Sequence, residues 1–306
     1  MHKLLLLTKN RDREAYLAYL KSAALPDLEI TTSFDSNIDL VFGEPTLIRE
    51  MLPQLSKLVW VQSSWAGVEP LLEPGLRRDY MLTNARGVFG GLMSEFVFGY
   101  LLLYERKILQ RLAAQKESRW DPSLTGTLRG KKIGVLGVGS IGSHLAETAT
   151  HFGMVVRGYT RASETCPFID SYYHEPDLSD FASGLDVLVN TLPNTPRTKK
   201  IINSELLAAM RQGGIFINVG RGSAINEGDL IAALTHGHLA CAVLDVFEQE
   251  PLPPEHPFWK TDNLFITSHT SAPSFPEDIA RLFLENYLNW INGRKLNFQV
   301  NFESGY

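Results

Sequence analysis

Six residues, Gly137-Val138-Gly139-Ser140-Ile141-Gly142, stand between the apolar run Lys132 to Leu136 and the helix-forming stretch Ser143 to Ala149. A strand, a G-x-G-x-x-G turn and a helix, in that order, make up the arrangement that holds a dinucleotide pyrophosphate. Gly137 permits the tight turn, Gly139 lets the backbone approach the pyrophosphate, and Gly142 lets helix pack closely on strand. The anion would sit on the free N–H groups of the helix start, at Ser140 and Ile141. Such a motif alone also marks ordinary glycine turns. Here a second apolar run, Met154 to Tyr159, completes a β-α-β unit around it, which points to a nicotinamide dinucleotide.

Just past that second run, an NAD-selective site carries Asp or Glu to accept hydrogen bonds from the ribose 2′-OH. No acid occurs between Glu147 and Glu164. Thr160-Arg161-Ala162-Ser163 instead offers a guanidinium from Arg161 and hydroxyls from Thr160 and Ser163, which suit a 2′-phosphate. The expected cofactor is therefore NADP(H) in preference, with NAD(H) possible. Downstream, three elements each follow an expected strand: Asn218-Val219-Gly220-Arg221-Gly222, Asp245 to Leu252, and Thr267-Ser268-His269-Thr270-Ser271-Ala272. They bring a guanidinium, carboxylates and an imidazole to strand ends, where open α/β sheets bind ligands. Taken singly each is commonplace. Arg221 could be structural, Glu250 shares an acidic stretch with Glu248 and Glu255, and a lone His is usually not catalytic. His236 and His238 flank Gly237 at an expected helix C-terminus, where a cation suits the dipole, and no metal site is expected.

Strands that could position these groups are expected at Leu4 to Leu7, Asp39 to Phe42, Leu58 to Gln62, Tyr80 to Asn84, Asp186 to Leu192, Ile215 to Val219, Ala242 to Val246 and Leu264 to Thr267. Helical patterns fall near 12–22, 45–52, 204–210, 227–235 and 277–291, with one long helical region from Leu92 to Glu117. Alternation of this kind predicts two doubly wound parallel-sheet α/β domains. A Rossmann dinucleotide-binding domain, 95–274, is inserted into a flavodoxin-like substrate domain, 1–94 and 275–306. The 306 residues suffice for two such cores. Hydrophobic content of 44% and charged content of 21% are those of a globular protein. A net charge of -5 argues against nucleic acid, no apolar window approaches a membrane span, and the only cysteines, Cys166 and Cys241, form no disulfide framework. A cytoplasmic protein is expected.

In motif order over nearly its whole length, the chain resembles the D-isomer-specific 2-hydroxyacid dehydrogenase family. The resemblance implies that Arg221 holds the substrate carboxylate and carbonyl, His269 is the acid/base and Glu250 hydrogen-bonds that His. The chemistry fits the set: hydride transfer to a carbonyl carbon builds charge on oxygen, which an imidazolium can protonate while Arg stabilises the anion. The family's usual Pro-His is Ser268-His269 here. The resemblance also implies a substrate loop at Trp65, Ala66, Gly67 and Val68, a cofactor-side loop at Thr191, Leu192 and Pro193, further cofactor contacts at Val219 and Gly220, and a nicotinamide carboxamide contact at Asp245. Trp65 would wall the pocket or pack in a core.

Within the family the chain is most similar to the glyoxylate/hydroxypyruvate reductase subgroup, through the spacing from Glu250 to His269, the Arg at the 2′-phosphate position and the Ser304-Gly305-Tyr306 ending. That implies NAD(P)H-dependent reduction of small 2-oxo acids to D-2-hydroxy acids. The enzymatic alternative is a phosphoglycerate-type or other D-2-hydroxyacid dehydrogenase, although no regulatory domain is expected after residue 306. A formate dehydrogenase would call for Gln in place of Glu250. A different class, a dinucleotide-sensing corepressor-like protein, would not need an acid/base pair. Phe96, Phe98, Tyr100, Leu101, Leu102 and Leu103 make the region after Leu92 apolar around much of its circumference, and the family uses this region for a two-fold dimer. A homodimer is therefore expected, the alternative being a helix buried within its own subunit.

Overall fold

A computed structural model describes every residue except Ala162, Ser304 and Tyr306, and the side chain of Asn10. The Ser304 and Tyr306 part of the C-terminal resemblance thus lies outside the described residues. The chain separates into two compact units, 1–88 with 274–306, and 89–273.

In the first unit, β1 (His2–Leu7), α1 (Asn10–Ser22), β2 (Leu28–Thr31), β3 (Leu40–Gly43), α2 (Pro45–Met51), β4 (Trp60–Ser63) and β5 (Met81–Thr83) build a parallel sheet in the order β2-β1-β3-β4-β5. This is the flavodoxin-like order. Leu4 and Leu5 of β1 pair with Leu40 and Val41 of β3, so apolar residues stack across the centre. A C-terminal helix returns to cover this sheet: Phe283 stacks between Phe42 and Trp60, its ring centre 5.2 Å from each.

The second unit runs α3 (Gly90–Glu105), α4 (Ile108–Lys116), β6 (Lys132–Leu136), α5 (Ser140–His151), β7 (Val155–Tyr159), β8 (Ser171–Tyr173), α6 (Leu178–Ala182), β9 (Val187–Asn190), α7 (Ser204–Ala209), β10 (Gly214–Asn218), α8 (Glu227–Thr235), β11 (Leu239–Leu244) and β12 (Leu264–Ile266). The covering helix of the first unit is then α9 (Pro276–Ile291). The sheet order is β12-β11-β10-β9-β6-β7-β8, a parallel, doubly wound Rossmann sheet whose strand order reverses between β9 and β6. Its strands read as unbroken apolar runs because both faces are covered. Ile133, Val135, Val187, Val189, Ile215 and Ile217 point into the core shared with α3 and α5. Leu188, Phe216, Ala242 and Leu244 point into the core shared with α6, α7 and α8.

The expected helix from Leu92 to Glu117 is two helices. Lys107 takes a left-handed φ of 53°, although no Gly or Pro marks the break. A distant segment supplies the cause: the Glu105 carbonyl accepts the Gly126 N–H at 3.0 Å, and the buried Glu105 carboxylate pairs with Lys131 at 2.8 Å. Val97, Phe98 and Leu101 of α3 are buried inside the unit, while Phe96, Tyr100, Leu102 and Leu103 of the same helix are partly exposed. Exposed apolar side chains lie further on, at Ile108, Leu109, Leu112, Trp120 and Leu124. Among the edge strands, β5 and β12 fall where the sequence predicts strands, whereas β2 and β8 carry no pattern legible in the sequence. No helix among the described residues is long and apolar enough to cross a membrane.

Candidate active site

The glycine turn lies between β6 and α5, on the reversal side of the second sheet. Gly137 has a left-handed φ of 107°, and its carbonyl accepts the Thr191 hydroxyl at 2.6 Å. A Cβ at Gly142 would come within 2.2 Å of the Gly137 carbonyl, so only glycine lets α5 start this close to the turn. A Cβ at Gly139 would meet nothing within 4 Å. An exposed, open turn at the N-terminus of a 12-residue helix, with Ser140 and Ile141 as its first residues, fits a pyrophosphate. The Ile141 side chain itself packs on the core, leaving its backbone N–H to the turn. Thr160 and Arg161 follow β7, and Ser163, exposed, has its hydroxyl 3.1 Å from that of Thr165. Ala162, between them, lies outside the described residues.

Two asparagines unmarked as site residues in the sequence shape the neighbouring loops. Asn190 and Asn218 end β9 and β10, are fully buried, and are hydrogen-bonded at 2.8 Å. Asn190 Oδ1 accepts the Leu192 N–H at 3.2 Å, Asn218 Oδ1 accepts the Gly220 N–H at 3.2 Å, and Asn218 Nδ2 donates to the Arg221 carbonyl at 3.1 Å. Val219 N–H donates to the Asn190 carbonyl at 3.1 Å. The 191–193 and 219–221 loops are thereby pinned side by side, with Thr191 and Leu192 half-buried and Pro193 exposed. The signal was present: each strand is an apolar run with one amide at its C-terminal end.

His269 and Glu250 meet. Nδ1 of His269 is 2.8 Å from Glu250 Oε2, and Glu250 Oε1 accepts the Phe247 N–H at 2.9 Å. A carboxylate only accepts, so Nδ1 carries a proton and Nε2 is left to face a reacting group. The Glu250 hydrogen bond holds the His269 pKa above its ordinary value against burial and the nearby Arg221 charge. Burial pushes Glu250 up, but the hydrogen bonds from His269 and Phe247 outweigh it and hold the carboxyl below its ordinary value. The Arg221 guanidinium donates to the Gly220 carbonyl at 2.8 Å.

Asp245, the expected nicotinamide contact, lies beneath the His269 loop. It is fully buried, and Oδ1 accepts from the Thr267 hydroxyl at 2.6 Å and the Thr270 N–H at 2.8 Å, while Oδ2 accepts the Ser271 N–H at 3.0 Å. Its carbonyl accepts the His269 N–H at 2.8 Å. These bonds hold His269 at a left-handed φ of 55°, a conformation costing of order 1 kcal/mol. The loop with Ser268 in place of Pro is thus tied from beneath by Asp245.

In the first unit, the loop after β4 is held by Ser63, whose hydroxyl donates to the Trp65 carbonyl at 2.8 Å and accepts the Trp65 N–H at 3.0 Å, and by Asn84, which donates to the Ala66 carbonyl at 2.7 Å. Trp65, Ala66 and Gly67 are half-buried. The Val68 side chain, 2% exposed, belongs to the unit's core, so any contact it makes with a substrate is through its backbone.

Residues 98–271 match the family model for the NAD binding domain of D-isomer specific 2-hydroxyacid dehydrogenases. The chain belongs to the D-isomer specific 2-hydroxyacid dehydrogenase family. It is 35% identical over 237 residues to glyoxylate/hydroxypyruvate reductase A of Serratia proteamaculans, covering 74% of this chain and 75% of that one. Among solved structures, a family protein of Aeromonas salmonicida superposes with a TM-score of 0.92 at 42% identity, over 98% of this chain and 99% of that chain. An NADPH-dependent glyoxylate/hydroxypyruvate reductase of Sinorhizobium meliloti, solved with NADP and sulfate, superposes with a TM-score of 0.89 at 27% identity over the whole of both chains. Membership in this dehydrogenase family accounts for an acid/base pair in the same unit as a dinucleotide turn. Metal-ligand clusters are absent among the described residues.

Proposed function

We propose that the chain is a 2-oxo acid reductase that uses NADPH in preference to NADH and converts glyoxylate and hydroxypyruvate to the corresponding 2-hydroxy acids, the D-isomer where a stereocentre forms. The observation that carries this reading is the 2.8 Å contact between His269 and Glu250, in a unit that also bears the Gly137 to Gly142 turn. The names of the Serratia and Sinorhizobium relatives support the substrate class. Thr160, Arg161 and Ser163, with no carboxylate from Gly153 to Ser163, support the choice of NADPH.

Bound dinucleotide would supply the hydride; the protein's share is to bind, orient and protonate. Arg221 pairs with the substrate carboxylate and stabilises charge on the carbonyl oxygen. His269, as imidazolium, delivers the proton from Nε2 to that oxygen, and Glu250 keeps the ring protonated and oriented. Ala66, Gly67 and Val68 are proposed to bind substrate through backbone N–H groups, and Trp65 to limit side-chain size. Asn190 and Asn218 act through the loops they hold.

The protein is further proposed to be a cytoplasmic homodimer without nucleic-acid partners. Its buried, unpaired cysteines suit a reducing compartment, and its net charge of -5 disfavours nucleic acid. The exposed apolar side chains of α4 and the following segment support self-association. Steady-state rates with a panel of small 2-oxo acids and both cofactors test the activity, and no turnover with any pair would end this reading. Arg161→Ala tests the cofactor choice: it is expected to raise KM for NADPH by roughly one to two powers of ten and leave KM for NADH nearly unchanged.

A further inference from the structure

His174, the residue after β8, reaches back to the loop that follows β7. Its Nδ1 is 2.8 Å from the Thr160 carbonyl, and its Nε2 is 2.6 Å from Glu164 Oε1. Thr160 and Glu164 are the two ends of the segment that carries Arg161 and Ser163. Both partners of the ring are acceptors, and a neutral imidazole has a single N–H to offer. Satisfying both contacts therefore takes a proton on each ring nitrogen.

The charges around the ring favour the same form. The Glu164 hydrogen bond, then the Thr160 carbonyl, holds the His174 pKa above its ordinary value, with Asp177 adding negative potential from the turn into α6 and burial opposing. On β7, Arg157 is turned toward the carbonyls of Asp180, Phe181 and Ser183 and the Tyr173 ring. Tyr159 stays protonated, its pKa raised by burial and by the charges of Glu175 and Asp177. Arg161 shares the segment itself.

We propose that His174 is a positioning residue for recognition of the cofactor 2′-phosphate: as an imidazolium it ties both ends of the 160–164 segment, and its deprotonation leaves a single N–H and so frees one end. This rests on the reading of Arg161 as the 2′-phosphate ligand. Because the pKa of His174 is raised, the clamp is complete at lower pH and is lost as pH rises through that pKa. His174 and Glu164 are 35% and 56% exposed, so the effect has the size of a surface ion pair, roughly 2- to 5-fold in affinity.

The test is titration of NADPH and NADH onto the full-length wild-type protein, His174→Gln and Glu164→Gln. It is run between about pH 7 and about pH 9, where a phosphate with a second pKa near 6 stays dianionic. Wild type is expected to lose roughly 2- to 5-fold in NADPH affinity across this range, with NADH affinity flat. His174→Gln should start at the weaker NADPH affinity and show no step, and Glu164→Gln should move the step to lower pH. A wild type that prefers NADPH while His174→Gln keeps both the preference and the step overturns the clamp. So does a His174→Gln protein that weakens both cofactors equally. A wild type with no preference for NADPH overturns the Arg161 reading beneath it.

Discussion

Gly222→Ala adds one methyl group where two loops of the candidate site touch. The new Cβ would lie 1.9 Å from the carbonyl carbon of Phe247 and 2.3 Å from the Glu248 nitrogen. These are backbone atoms, which cannot swing aside as a side-chain tip can. Ordinary contact begins at 3.4 Å, so the loops must part by about 1.5 Å. Gly222 follows Arg221, and Phe247 leads to Glu250, the partner of His269. The displacement therefore falls between the guanidinium and the imidazole. A misplacement of about 1 Å at reacting groups lowers the rate about 10²-fold, and kcat for glyoxylate is expected to fall by about that factor. The turn from Gly137 to Gly142 is untouched, so NADPH affinity should hold. Gly222 has no left-handed φ, so the effect is steric rather than conformational. Gly228→Ala is the control: its Cβ would meet only Asn226 Oδ1 at 3.7 Å, and alanine in α8 is favoured by up to about 1 kcal/mol. NADPH oxidation followed by absorbance gives kcat, NADPH titration gives affinity, and thermal unfolding shows whether each variant is folded. A folded Gly222→Ala protein with wild-type kcat would refute the argument that this backbone contact sets the geometry.

His269→Ala should lower kcat by about 10²- to 10⁴-fold while NADPH titration still shows binding; undiminished kcat would remove His269 as the proton donor. Arg221→Ala should raise KM for the 2-oxo acid strongly as well as lower kcat, which substrate saturation curves read directly. Reduction requires the His269 imidazolium, so kcat/KM for reduction should be full below its raised pKa and decline as pH rises through it, whereas oxidation of the hydroxy acid should rise. Glu250→Gln should move both midpoints to lower pH, and identical profiles would dissolve the pair. Light scattering of wild type at micromolar concentration should report a dimer, and Leu112→Asp on the exposed side of α4 should shift it toward monomer.

Interior strands were legible because their residues face covered surfaces on both sides: Val187 to Val189 and Ile215 to Ile217 are apolar without interruption and needed no tertiary knowledge to be read as strands. Two edge strands, β2 and β8, were not, since Leu28 to Thr31 and Ser171 to Tyr173 are short and interrupted by charged or hydroxyl residues, unlike the equally short apolar edge strand β12, Leu264 to Ile266. The break at Lys107 had no local signal, because its cause is a carbonyl taken by Gly126, outside the helix.

The sequence by itself determined the glycine turn and the order in which Arg221, Glu250 and His269 follow it, because a φ of 107° at Gly137 and a 2.2 Å approach at Gly142 restrict residue type at those positions. Tertiary structure decided where side chains point. The Asp245 side chain is turned beneath the His269 loop and the Val68 side chain into the core, and neither direction is written in the motif that carries it. His174 and Glu164 carry no motif, and only the pairing of β7 with β8 brings an imidazole against both ends of the Arg161 segment. Backbone requirements leave a mark on the residue that meets them. A hydrogen bond across ten residues or more leaves none, because many residue types could have stood at either end until the chain brought them together.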